Sequence, residues 1–157
     1  MAKMNLQLRH RCFQFKTDGK IIYDPDRKTM KKNTEHWAVI TIEPDIAAYY
    51  RKLFYQKYGI ELDKPNWDIH CSVLKGYSTT DKTKPWGWLD QEIVDIHYTH
   101  ELFWNSSHVW INCYSKEFFE LRDFYNVVGP DQGHITIGKF KHYQKEHLKP
   151  FKNYTPE

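Results

Sequence analysis

Little in this sequence points away from a folded, water-facing domain. No apolar run approaches the roughly 20 residues that cross a bilayer, and the opening MAKMNLQLRHR has no signal-peptide core. The expected location is therefore the cytoplasm in which the chain is made. Cysteine is scarce: Cys12, Cys71 and Cys113 are odd in number, widely spaced and without a CxxC pair. That excludes a disulfide scaffold and reads as three free thiols in a reducing compartment. Charge of one sign is missing too. Twenty-three Lys and Arg stand against twenty Asp and Glu, a net of +3, which does not describe a long nucleic-acid track. No low-complexity tract or Pro/Ser-rich linker divides the chain, so residues 1–157 are read as a single domain.

What the chain has in excess is aromatic. Eleven Tyr, nine Phe and six Trp make up 17% of the residues. Aromatic rings stack on bases as well as on one another, so a nucleotide ligand fits the surplus; a Tyr-rich core is the plainer explanation.

Alternation and helical spacing give the outline. Arg11–Lys16 alternates and runs into Thr17-Asp18-Gly19-Lys20 and Ile21–Tyr23, which reads as a hairpin turning at Asp-Gly. His36–Ile42 reads as a buried strand. Pro44–Tyr58 carries a helical stripe of Ile46, Tyr49, Tyr50, Leu53 and Phe54, stopped by Gly59. Asp68–Lys75 reads as a strand and Gly76–Gln91 as a loop. Strands follow over Glu92–Trp104 and His108–Tyr114, then a short helix over Lys116–Tyr125 that Ser115 can cap, with Phe118, Leu121 and Tyr125 on one face. Gly133–Phe140 is the last clear strand. Strands and helices mixed without regular βαβ spacing predict an α+β fold with mostly antiparallel sheets.

Two of these strands share one pattern: His70-Cys71-Ser72-Val73 and His134-Ile135-Thr136-Ile137, each a histidine, any residue, a hydroxyl residue and an apolar residue. Residues i and i+2 of a strand project from one face about 6.5 Å apart, so each motif presents an imidazole beside a hydroxyl. The hydroxyl can donate to a nonbridging phosphate oxygen while the imidazole moves a proton. Two such pairs across a cleft supply both a base and an acid, and histidine, with an ordinary pKa of about 6.5, serves as either near neutrality. The competing reading makes both ordinary strand histidines satisfied by neighbouring backbone. His97-Tyr98-Thr99-His100 matches in part, but a polar histidine follows its hydroxyl. Lys75 and Lys139 each lie five residues after their histidine, as if the segments were copies of one unit. On regular strands that odd spacing turns both lysines to the opposite face.

Paired H-x-[S/T]-apolar motifs 64 residues apart in a small α+β chain resemble the 2H phosphoesterase superfamily. The resemblance implies two lobes of antiparallel strands flanked by helices around a central cleft. His70 and His134 would be the acid–base pair and Ser72 and Thr136 the phosphate-binding hydroxyls, with no metal and no cofactor. Tyr49-Tyr50-Arg51, Pro65-Asn66-Trp67, Lys75-Gly76 and Gly133–Gly138 are similar, within that superfamily, to the phage-encoded anti-CBASS nucleases. That similarity implies cleavage of 3′,5′-linked cyclic di- and trinucleotide immune signals in the host cytoplasm. Trp67, Tyr77, Trp86 and Trp88 are the candidates to stack on the bases. No membrane or long nucleic-acid partner is expected.

Other readings stay open. An RNA-end or 2′,5′-oligoadenylate phosphodiesterase would use the same four residues, and a non-catalytic protein could merely sequester the nucleotide. His97 and His100 as zinc ligands would face opposite sides of a strand, with no cysteine pair to complete the set. Ser72 as a covalent nucleophile lacks a Gly-x-Ser-x-Gly elbow. Asp68 could orient a histidine or simply sit on the strand surface, and Arg27-Lys28 with Lys31-Lys32 could steer an anion or be solvated.

Overall fold

The computed structural model describes residues 13–26, 37–75, 83–127 and 133–141, together with the backbone of 153–154. Seven strands and two helices follow in the order β1 (Phe15–Tyr23), β2 (Ala38–Thr41), α1 (Pro44–Tyr58), β3 (His70–Leu74), β4 (Ile93–Trp104), β5 (His108–Tyr114), α2 (Lys116–Phe124), β6 (Gly133–Lys139) and β7 (Asn153–Tyr154). All pairings are antiparallel. The strands run β1-β2-β3-β6-β5-β4, and β1 also pairs with β4, so six strands close on themselves while β7 adds to the edge of β4. The fold is mixed α+β, as expected, with one continuous closed sheet.

The order conceals a repetition. β1-β2-α1-β3 and β4-β5-α2-β6 are each two strands, a helix and a third strand that pairs with the second. The halves join through β3–β6 and β1–β4. The likeness noticed between the two motif segments is thus the end of a likeness between two ββαβ units.

The expected hairpin at Asp18-Gly19 is absent. β1 runs straight through these residues, pairing with β4 over Phe15–Lys20 and with β2 over Ile21–Tyr23. Gly19 sits where the strand changes partner. A Cβ there would run into the Thr41 carbonyl oxygen and the side chains of Ile40 and Ile96, so glycine serves close approach and not a turn.

Helix α1 begins with Pro44 and Asp45 in its first turn and ends at Gly59, whose φ of 69° is left-handed and whose N–H meets the Tyr55 carbonyl at 2.7 Å. Its buried stripe is Ala47, Tyr50 and Phe54, with Ile46 and Leu53 alongside; Tyr49, expected in the stripe, is 57% exposed. Helix α2 buries Phe118 and Leu121, with Tyr125 just past its end, as its spacing predicts. Ser115 holds the N-cap position, but its hydroxyl bonds Glu117 Oε2 at 2.8 Å and caps no backbone N–H.

Both helices pack on the same side of the sheet. Phe54 meets Trp104 and Tyr50 meets Tyr98, while a Cβ on Gly133 would touch Phe118, Cys71 and Cys113. The interior of an eight-stranded barrel is just wide enough for side chains, so a six-stranded ring cannot enclose helices. The helices therefore lie outside. Residues alternating with Cys71, Cys113 and Ile135 face inward. Cys71 and Cys113 are free, buried thiols in contact at 3.2 Å, as far as the expectation of reduced cysteines can be followed; Cys12 lies outside the described residues.

Candidate active site

The site follows from one registered pair. Cys71 of β3 lies opposite Ile135 of β6, both buried against the helix side. In an antiparallel ladder the next residues out are then His70 opposite Thr136 and Ser72 opposite His134. All four side chains project from the inner face. Opposite side chains in such a ladder lie about 5 Å apart and diagonal ones about 7–8 Å. His70 and His134 are the diagonal, Ser72 and Thr136 the other diagonal, in a near-symmetric square. The outer strands extend the two rows, with Thr41 beside His70, Trp110 beside Thr136, Val39 beside Ser72 and Asn112 beside His134.

Water reaches this face. His70, Ser72 and Thr136 are half-buried and His134 is exposed. Loss of hydration nonetheless lowers the pKa of both histidines below its ordinary value. The positive ends of His134 and Lys75 push His70 further down, and Lys75 and His108 do the same to His134. Both imidazoles are consequently neutral near pH 7 in the ligand-free protein.

Neighbours fix the first motif's polar atoms. His70 Nδ1 lies 2.6 Å from the Asp68 carbonyl oxygen, so Nδ1 carries the proton donated there and Nε2 is left as the basic nitrogen. The Asp68 contribution comes chiefly from its backbone, not from the carboxylate considered from sequence. Trp37, buried just before β2, donates Nε1–H to Ser72 Oγ at 3.1 Å and sets its ring edge-on to His70, 5.3 Å between centroids. A hydroxyl that already accepts is left to donate its own proton elsewhere. Sequence reasoning passed over Trp37, although it precedes Val39 by two residues and shares its face.

The stacking candidates separate. Trp67 packs against His70, 4.8 Å between centroids, and against Trp37, and donates Nε1–H to the Asp26 carbonyl. A cavity of about 610 Å³ opens beside it, lined by Arg51, Lys64, Asn66 and Asp68 among others, and not by either histidine. Trp86 packs on Tyr23 and Tyr125 with Nε1 on Asp24, and Trp88 stacks on Phe124. Asp24 links Trp86 to the site: its second carboxylate oxygen accepts the backbone N–H of Trp37. Tyr77 falls outside the described residues, as do Arg27, Lys28, Lys31 and Lys32.

Each motif strand also carries one irregularity. Ala38 pairs with Leu74 but Val39 with Ser72, so Val73 is an extra residue in β3; Val109 pairs with Gly138 but Trp110 with Thr136, so Ile137 is an extra residue in β6. Bulge carbonyls leave the regular ladder. Here the Val73 carbonyl accepts from Arg122 Nε of α2 at 3.1 Å, and the Ile137 carbonyl from Arg51 Nη1 of α1 at 2.7 Å. Each helix thus clamps the other unit's motif strand.

Among the described residues no cluster of three or more His, Cys, Asp or Glu side chains is arranged to hold a metal ion, and no helix is long and apolar enough to cross a membrane. The chain matches no protein-family model, no curated protein and no solved structure.

Proposed function

We propose that this chain is a two-histidine phosphodiesterase that opens 3′,5′-linked cyclic di- and trinucleotide signals in the cytoplasm of a phage-infected host, without a metal. The observation that carries the reading is the square of His70, Ser72, Thr136 and His134 on one water-accessible face. The doubled ββαβ arrangement, each unit giving one motif to that face, supports a 2H phosphoesterase-like architecture of two lobes around a cleft. The substrate class rests on the resemblance set out from the sequence.

In the reaction one imidazole takes the proton of a ribose 2′-hydroxyl, O2′ attacks the adjacent phosphorus, and the P–O5′ bond breaks as the other imidazole protonates O5′. The product is a 2′,3′-cyclic phosphate. Water then attacks that ring with the two histidines exchanging roles, leaving a terminal phosphate. Ser72 and Thr136 donate to the nonbridging oxygens throughout. Two imidazoles that are neutral when the face is empty suit this chemistry, because a bound phosphodiester anion raises the proton affinity of the one that must act as acid.

An RNA-end or 2′,5′-oligoadenylate phosphodiesterase needs the same four groups. A sequestering protein does not need two imidazoles on one diagonal. The separating assay is purified protein in excess EDTA with 3′,3′-cyclic GMP-AMP, a 2′,5′-oligoadenylate and a 2′,3′-cyclic nucleotide. His70→Ala and His134→Ala should each abolish cleavage with little change in thermal unfolding. Ser72→Ala and Thr136→Ala should lose roughly 10²–10³-fold, as for one transition-state hydrogen bond. Wild-type turnover in either histidine variant would remove that residue from the mechanism, and tight binding without turnover would make the protein a sponge.

A further inference from the structure

On regular strands, the odd spacing from each histidine predicts Lys75 and Lys139 on the opposite face. The bulges reverse that. Along β3 the burial runs half-buried His70, buried Cys71, half-buried Ser72, then two buried residues in succession, Val73 and Leu74, and exposed Lys75. Along β6 it runs exposed His134, buried Ile135, half-buried Thr136, buried Ile137 and Gly138, and half-buried Lys139. Two consecutive residues turned to the helix side break the alternation once, and the fifth residue after each histidine returns to the histidine face. Re-aiming a side chain is what a bulge does.

The two lysines are equivalent by the repeat but not in their surroundings. Lys139 Nζ donates to Asn66 Oδ1, and its backbone is bridged to Asp63. Among the described residues no carboxylate forms an ion pair with Lys75. We infer that Lys75 is an anion-binding residue of the inner face, its ammonium taking a nonbridging phosphate oxygen at the Ser72–His134 row. This rests on reading the face as a phosphodiester site and adds a cation to it. The charged groups that act on the two imidazoles agree: Lys75 depresses both and is the largest charge acting on His134, joined there by His108, while Asp68 alone opposes them at His70. A face with more positive than negative influence is disposed to take an anion. Lys75 does not move the proton; it holds the phosphate that the histidines work on.

The test needs no turnover. Inorganic phosphate is titrated into the wild-type protein while the ring resonances of His70 and His134 are followed by NMR, and the dissociation constant is compared across variants. Lys75→Met should weaken phosphate binding about fivefold, the scale of one exposed ion pair, and Lys75→Arg should restore it. In Lys75→Met both histidine pKa values should move up toward the ordinary range. Lys139→Met should bind phosphate nearly as the wild type does. Unchanged phosphate affinity in Lys75→Met overturns the inference, and so does an equal loss in Lys75→Met and Lys139→Met, which would mean that net charge alone is responsible. If no nucleotide is cleaved yet phosphate binding depends on Lys75, the phosphodiesterase reading fails while the anion site stands.

Discussion

The two arginine clamps offer the sharpest test of how the fold holds its inner face. Arg122 reaches from α2 to the carbonyl of Val73, an oxygen that the bulge removes from the β2–β3 ladder, and its guanidinium also lies over the Phe118 ring at 4.1 Å. Arg122→Met keeps the length and the apolar contact but deletes the donor. A hydrogen bond from a charged donor contributes about 1.5–3 kcal/mol, and more is lost when its partner stays buried. Against this, the guanidinium is itself partly desolvated, which lowers its pKa and marks a standing cost that methionine removes. A net loss of about 2 kcal/mol corresponds to a fall in Tm of about 4–8 °C for a chain of this size. Arg51→Met, which frees the Ile137 carbonyl, should fall by a similar amount, and the double variant should show the sum because the two clamps share no partner. Thermal unfolding followed by circular dichroism at pH 7.5 measures all three. A second readout ties the clamp to the site. If the Arg122 bond keeps the Val73 bulge in place, losing it frees Lys75 from the histidine face, and the pKa of His134 should rise in Arg122→Met. A variant that melts within about 1 °C of the wild type, with an unmoved His134 titration, would show that the bulge holds itself and that the arginine is ornamental.

Three further outcomes are expected. Gly19→Ala should destabilise by about 1–3 kcal/mol in denaturant titration, because the added methyl meets the Thr41 backbone as well as two packed side chains; a change near zero would mean that β1 has room where it changes partner. Trp37→Phe should reduce cleavage more than stability, since it keeps the ring against His70 and removes the donor to Ser72 Oγ; equal turnover would show that the hydroxyl needs no such orientation. The third concerns pH. The folded-state pKa of His70 lies below its unfolded value of about 6.5, so the unfolded chain binds the proton more readily and stability is lost as pH falls from about 7 through the depressed pKa. Tm should therefore drop between about pH 7 and pH 5, and less steeply in His70→Gln; parallel curves would remove His70 as a source. The acid limb of kcat/KM should have its midpoint below the ordinary imidazole value for the same reason.

Much of the fold was legible because burial writes itself into the alternation of each strand. β3, β5 and β6 lie where their alternating residues put them, β2 where an unbroken apolar, β-branched run does, and Gly59 ends α1 in the left-handed conformation that its sequence position suggests. Asp18-Gly19 shows where that legibility ends. A glycine that permits a turn and a glycine that lets two strands touch are the same letter, and only the partners of β1, distant in sequence, decide between them. The doubling of the chain was visible only at the motifs. The helices that complete the repeat have 15 and 9 residues and bury different side chains, since a helix needs a stripe and not a particular set of residues.

The motif pair was legible for a stricter reason: i and i+2 on a strand share a face whatever the strand pairs with, so His70 with Ser72 and His134 with Thr136 follow from spacing alone. What spacing could not supply was the partner register, and here a single pair, Cys71 with Ile135, sets the two histidines on one diagonal. A shift of one residue would have sent one motif into the helix-packed core and left a histidine buried without a second imidazole. The lysines fail the same arithmetic for the opposite reason. Parity holds only while the ladder is regular, and a bulge leaves no sequence signature when its residue is valine or isoleucine. At Val73 and Ile137 the carbonyl that the bulge frees finds a partner. Each is anchored by an arginine from the helix across the seam, so irregularity in one unit is held by regularity in the other. Each half thus reaches across to the other's motif strand through one arginine, next to the face on which the four motif side chains meet.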